Sequence, residues 1–218
     1  MSKQNELIIF GVKNMALEIQ EIALSFYQET FSKVSCIYFS EDFVEKNNLV
    51  EKIKNDESGL YFNIGFGGTN KKACIVFLKK YPNIKPYTII HPTAVIAPSA
   101  QIGQGCFIQP NVTVSSKVIL GDFCVLNYNV SVGHDSILSD NVMVQPGARV
   151  SGNCFVGENS MIGSNSFVYQ NTKIGTDVLV DAMTYVHDDL ADNLIVSSRY
   201  PKAISRNDIS QEKLPMWN

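Results

Sequence analysis

Counting forward from Ile90 in steps of six lands on an aliphatic residue seventeen times in succession, through Ile108, Leu126, Val144 and Ile162 to Val186. Isoleucine, leucine and valine make up about a quarter of the chain, so such a run has a chance probability on the order of 10⁻¹⁰ in any one register. The fourth residue after each stop is small or slim, as at Cys106, Val112, Cys124, Ser136, Ala148 and Thr172. One aliphatic per short straight segment with a slim residue at each bend is what a triangular coil of parallel strands needs. The aliphatic fills the core, the bend stays tight, and three hexads close one coil.

A second period belongs to the outside of the coil. The residues just before every third stop are Ile89, Phe107, Val125, Met143, Met161 and Leu179, one per coil, whereas the other two faces carry Gln101, Ser131, Arg149 and Lys173. A solvated face does not repeat apolar residues on every coil, so this stripe is expected to be buried against another subunit, and a triangular prism that buries one side suits a closed homotrimer.

Ahead of the repeat, apolar runs at Leu7 to Gly11, Val34 to Phe39 and Leu60 to Gly65 alternate with amphipathic stretches over about 15–31, 42–54 and 69–78, the pattern of a small parallel βαβαβ sheet. Pro82 and Pro86 mark a linker. The expected division is therefore an α/β, Rossmann-like domain at 1–84, an all-β parallel β-helix at 85–187, and a cap and tail at 188–218 that closes the last coil.

Composition narrows the partners. A formal net charge of −3 offers no basic field for nucleic acid or an acidic membrane. No apolar stretch approaches the roughly 20 residues of a membrane span, and the first residues carry no cleavable leader, so a cytoplasmic protein without membrane insertion is expected. Of five cysteines, Cys106, Cys124 and Cys154 take slim-residue positions of the repeat, and Cys36 and Cys74 fall in a predicted strand and helix; all read as reduced, small hydrophobes.

Three histidines remain as carriers of chemistry. His91 lies in a His-Pro pair at the opening turn of the coil, and His187 at the exit of the last hexad, where a solvent- or ligand-facing side chain is expected. His134 falls two residues after inward Val132, at a corner, and is followed by Asp135. An imidazole is suited to taking a proton near neutral pH, and an adjacent carboxylate can hold its tautomer. Spacing argues against a zinc site from the three within one chain, because coils about 4.8 Å apart separate them by roughly 10 and 14 Å, against about 2 Å for a ligand bond, and a metal role would require a different register between subunits.

The hexad run is similar to the hexapeptide signature of left-handed β-helix acyltransferases. The left hand is what that resemblance implies, since a period carries no hand and parallel crossovers are ordinarily right-handed. Within it, VLNYNVSVGHDSILSDNVMVQPGARVSGNCFVGENSMIGSNSFV, with IIHPTAVIAPSAQIG before it, resembles the nucleotide-sugar N-acetyltransferases of bacterial surface-glycan synthesis. These are the bacillosamine and perosamine acetyltransferase type, also described as sialic-acid O-acetyltransferase-like, and the resemblance covers essentially the whole chain.

The resemblance implies acetyl-CoA as donor, a homotrimer with the donor in a groove between adjacent β-helices, and a nucleotide-linked amino sugar held by the first domain. It makes His134 the general base, Asp135 its support, and the Gly152 N–H a donor to the thioester carbonyl. Gly147, Gly163 and Ser164 would let the pantetheine arm approach bare backbone. In the first domain the turn GVKNMALEI keeps Gly11 of a glycine-rich family turn and offers Lys13. Glu41 or Asp42 suits a ribose or base, and GFGGTNKK sets Gly65 and Gly67 before a helix start with Lys71 and Lys72, a phosphate-compatible arrangement. Near the end, VSSRYPKAIS supplies Arg199 and Lys202 for a CoA phosphate. The rival readings are an O-acetyltransferase using the same histidine and a binding protein that keeps the fold without turnover.

Overall fold

The computed structural model describes residues 5–11, 13–38, 51, 53, 59–65, 68–199 and 204–205. The chain separates into two compact units: residues 1–92 with Gln104–Phe107, and Thr93–Gly103 with the remainder from Ile108.

In the first unit, β1 (Glu6–Gly11), β2 (Lys33–Tyr38), β3 (Leu60–Gly65) and β4 (Ile84–Pro86) form a parallel sheet in the order β2-β1-β3-β4. β1 is buried along its whole length, which is why its sequence reads as a continuous apolar run instead of an alternation. Helix α1 (Lys13–Phe26) follows β1 and buries Ala16, Ile19 and Ala23, one stripe at helical spacing. Helix α2 (Gly68–Leu78) follows β3. The prolines read as a linker instead frame the fourth strand, whose register sets Leu60 against Ile84 and Phe62 against Pro86. Proline is tolerated because β4 lies at the edge of the sheet. Only residues 51 and 53 of the middle helical stretch fall among the described residues, and both are helical.

The second unit is the coil. From β6 (Val95–Ile96) to β21 (Tyr185–Val186), two-residue strands recur every six residues, and each pairs in parallel with the strand one coil away. The register is eighteen residues, as in Ser131↔Arg149↔Phe167↔Tyr185 on one sheet and Ile119↔Ile137↔Phe155↔Lys173 on another. The stops of the six-residue count point inward: Leu138, Val144, Val156, Ile162 and Val168 are fully buried.

The corners have their own period. The third residue after each stop has positive φ without a break from Gly105 to Met183, and except at Lys117, Phe123 and Met183 it is Asn, Asp or Gly. Those residue types enter the left-handed region at least cost. This signal stood in the sequence one residue before the slim column.

The outward stripe corrects the expectation of a subunit contact. Ile89, Phe107 and Val125 are fully buried, Met143 and Leu179 nearly so, and Met161 part-buried, within a single chain. The stripe needs a cover, and the chain itself supplies it. Beside it runs a polar ladder in which Gln109 Nε2 donates to Asn127 Oδ1 (3.2 Å) and Asn127 Nδ2 to Val144 O (3.0 Å). Outward aliphatics and aromatics that do meet solvent include Ile119, Ile137 and Phe155, on the sheet that also carries Gln101 and Lys173, and Val95, Phe167 and Tyr185 on the third sheet.

The coil ends by shortening. β22 (Leu194–Val196) pairs in parallel with β20 (Leu179–Val180), but Leu179 meets Ile195, a step of sixteen residues, and β23 (Ile204–Ser205) returns antiparallel to β22. Asp181, nearly buried, fastens this turn. It accepts from Ser197 Oγ (2.7 Å), Arg199 Nε (2.8 Å) and the Ala182 amide (2.8 Å), with Arg199 Nη2 also engaged.

Candidate active site

His134 and Asp135 occupy one corner of the coil, after β12 (Ser131–Val132) and before β13 (Ile137–Leu138). Val132 and Ser136 on either side are buried and anchor the turn from within. Asp135 has φ 57°, and the change of backbone hand lets two consecutive side chains face each other instead of diverging as along a strand. The neighbouring coils lock the backbone: the Asp135 amide donates to Ser116 O (3.0 Å), and His134 O accepts from the Asn153 amide (2.8 Å).

The His134 ring meets the Asp135 carboxylate through Nδ1 and Oδ2 at 2.8 Å, and Asp135 Oδ1 lies 3.8 Å from Lys117 Nζ. A carboxylate only accepts, so in the neutral ring Nδ1 carries the proton and Nε2 keeps its lone pair. Gly152 stands one coil on from His134 in the same corner position. A Cβ there would lie 2.7 Å from Nε2, so only glycine leaves the lone pair unobstructed. Gly133, just before the histidine, is required for a different reason: its Cβ would lie 2.5 Å from the Gly152 nitrogen. Among the described residues no acceptor takes the Gly152 N–H. His134 and Asp135 remain about half exposed, open to a ligand. The corner thus places a fixed proton acceptor beside a backbone donor.

The other expected site residues divide. Gly147, Gly163 and Ser164 lie on the corner between the sheet of Met143 and Met161 and that of Arg149 and Phe167, whereas His134 and Gly152 lie on the next corner of the prism. One chain does not gather them. Gly147 has φ 70°, and a Cβ there would strike Asn165 Oδ1. Arg199, expected at a CoA phosphate, has its guanidinium engaged by Asp181.

In the first unit, Gly11 and Gly65 are register partners at the ends of β1 and β3, where α1 and α2 begin. A Cβ on Gly11 would lie 2.9 Å from Ala16 Cβ, and one on Gly65 2.6 Å from Ile19 Cδ1, so both are needed for helix packing. Lys13 opens α1. The lysine pair is split: Lys71 is fully buried and Lys72 exposed, so the two do not present one cationic surface. Glu41, Asp42, Gly67 and Lys202 lie outside the described residues.

His187, singled out in the sequence, stands at the far end of the same corner with partners that sequence reasoning missed. His187 Nδ1 lies 3.2 Å from Asp188 Oδ1, and its ring stands 5.4 Å from Tyr185, which in turn is 5.7 Å from Phe167 and 6.3 Å from Tyr169. The signal was FVY at 167–169 repeating as YVH at 185–187, one coil apart. His91 packs edge-on against Phe26 (5.1 Å). Among the described residues no cluster of three or more His, Cys, Asp or Glu could hold a metal ion, and no helix is long and apolar enough to cross a membrane.

Comparison with known proteins follows from this geometry. Residues 84–188 match the family model described as the GMPPB C-terminal domain. No curated protein matches by sequence. Among solved structures, the acetyltransferase domain of PglB from Neisseria gonorrhoeae FA1090 in complex with acetyl coenzyme A superimposes with a TM-score of 0.77 at 22% identity, over 93% of this chain and 99% of that one. PerB from Caulobacter crescentus, in complex with CoA and GDP-perosamine, gives 0.74 at 19% identity, over 92% of this chain and 97% of that one. WeeI from Acinetobacter baumannii AYE gives 0.81 at 18% identity, over 92% and 100%. The chain has the fold of the left-handed β-helix acetyltransferases.

Proposed function

We propose that the protein is an acetyl-CoA-dependent N-acetyltransferase acting on a nucleotide-linked amino sugar. The observation that carries this reading is the His134 ring, held at Nδ1 by Asp135 with Nε2 beside the bare Cα of Gly152. His134 Nε2 takes the proton of the acceptor amine as the nitrogen attacks the thioester carbonyl carbon. The Gly152 N–H donates to the oxygen that gains charge. As the new C–N bond forms and the C–S bond breaks, the imidazolium returns the proton to the departing thiolate. No protein nucleophile is required, and Cys154, two residues after Gly152, is buried with its thiol pushed up by burial.

The donor fits between copies of the chain. Gly147, Gly163 and Ser164 sit on a different corner from His134, so a second copy must bring such a corner alongside the histidine. The exposed Ile119, Ile137 and Phe155 offer the apolar contact for a homotrimer. The first domain holds the sugar nucleotide at the edge where β1 and β3 end and their helices begin, the position where parallel α/β sheets take such ligands. Support comes from PerB, whose structure holds CoA and GDP-perosamine, and from the PglB domain with acetyl coenzyme A.

A panel of UDP-, dTDP- and GDP-linked amino sugars with acetyl-CoA, followed by release of free thiol and mass spectrometry of the product, tests the proposal. An amide product on one nucleotide amino sugar is expected. Transfer only to hydroxyl acceptors, or none to any acceptor, overturns it.

A further inference from the structure

We propose that Lys117 is a positioning residue for the acyl-transfer site, acting on His134 through the Asp135 carboxylate. The inference rests on the reading of His134 as the base. Asp135 uses both oxygens: Oδ2 meets His134 Nδ1 at 2.8 Å and Oδ1 meets Lys117 Nζ at 3.8 Å, so the ammonium draws the carboxylate from the side away from the ring. A carboxylate tethered at one oxygen only can swing about its Cβ–Cγ bond, and the ring it holds swings with it. A second tether removes that freedom. Lys117 stands one coil before Asp135 in the same corner column, between Ser99 on one side and Asp135 and Asn153 on the other.

The second observation is conformational. Lys117 has φ 57°, in a column where Asn, Asp and Gly otherwise prevail. Phe123 departs from the pattern too, but it is buried, and its packing offsets the strain. Met183 departs as well and is 71% exposed, so the positive φ alone does not mark a site; what sets Lys117 apart is its ammonium 3.8 Å from Asp135 Oδ1. Lys117 is about three-quarters exposed, so burial does not account for a long side chain at a position that disfavours it. The coil does fasten its backbone, with the Lys117 amide donating to Ser99 Oγ at 3.0 Å. A lysine held against local preference, with its ammonium aimed at the carboxylate that orients the base, is a residue placed for the site and not for the fold.

The test sets stability against function. Lys117→Asn installs the residue that the column favours, so the melting temperature is expected to stay level or rise by about 2 °C. At the same time kcat is expected to fall about three- to five-fold, the range of an exposed ion pair, with both Michaelis constants within two-fold of wild type. Lys117→Arg is expected to restore kcat. Imidazole ¹⁵N NMR of His134 gives a readout independent of turnover: in wild type the Nδ1–H tautomer dominates, and Lys117→Asn increases the share of Nε2–H. A tautomer change in a protein that acetylates nothing overturns the functional reading and supports the positioning role. An unchanged tautomer and unchanged kcat overturn the inference. So does a rise in the sugar-nucleotide Michaelis constant at constant kcat, which would make Lys117 a substrate contact, or a loss of kcat that tracks a lower melting temperature and is not rescued by arginine.

Discussion

Two glycines on adjacent coils show how differently a single added methyl group acts at the corner. At Gly152 the new carbon would meet the His134 ring, the far end of a half-exposed side chain that can move aside. Gly152→Ala is therefore expected to leave the melting temperature within about 2 °C while lowering kcat by roughly ten-fold or more, because the displaced ring loses its line to the acceptor. At Gly133 the carbon would meet backbone nitrogen, which cannot yield, so Gly133→Ala should lower the melting temperature by several degrees, on the order of 4 °C or more. Thermal scans and steady-state rates on the pair decide it; equal stability losses would mean the ring is not seated over Gly152. His134→Ala should reduce turnover by about 10² or more with the fold intact, and activity within a few-fold of wild type would remove it from the role of base. His134 and Asp135 stood out in the sequence as an adjacent pair at a corner, whereas Gly152 came only with the family resemblance; the eighteen-residue step of the coil sets it beside the histidine. The contact with Lys117 was not legible, because the period puts the two residues in one column without setting which way an exposed lysine side chain runs.

For the elements, the hexad stops fixed every coil strand, since inward aliphatics leave one register in which the core closes. Strand β4 escaped because proline suppresses a strand reading wherever its position in the sheet is unknown, and only the edge position makes it tolerable. The closing turn escaped as well, because its sixteen-residue step breaks the period that revealed the rest. Its fastening has a measurable pH signature. Burial pushes the Asp181 carboxyl up, but hydrogen bonds from Ser197, Arg199 and the Ala182 amide, together with the Arg199 charge, outweigh it and hold the group below its ordinary value. A folded value below the unfolded one means that Asp181 stabilises fully above the usual carboxylate range, about 4, and loses that contribution as pH falls through the depressed value. Between pH 6 and about 3, the melting temperature of wild type should drop more than that of Asp181→Asn. Parallel curves would show that the carboxylate does not carry the turn.

Along the coil one outward apolar stripe is covered within the chain, and among the described residues the run Ile119, Ile137 and Phe155 is the longest consecutive exposed one on the other two sheets. Repetition on every coil marked a stripe that must be covered, which was legible; which surface covers it was not, because an apolar period reads the same whether the cover is another subunit or the same chain. Ile137→Asp with Phe155→Asp is expected to convert a trimer to monomers by light scattering without unfolding the coil, since both side chains are about 40% exposed. Met143→Asp, at a nearly buried site, should instead lower stability. A wild type that is monomeric at micromolar concentration would refute the trimer.

The shortened last coil bears on polymerisation. A stack of identical coils ends in a row of unpaired backbone groups spaced to receive the first coil of another molecule, the template from which fibrils grow. Taking sixteen residues where every earlier coil takes eighteen puts β22 out of step with any incoming coil, and the antiparallel β23 occupies its edge. The same change that stops the period stops the stack, so a chain cut before Leu194 should gain a thioflavin-binding, end-to-end assembled form that the intact protein lacks.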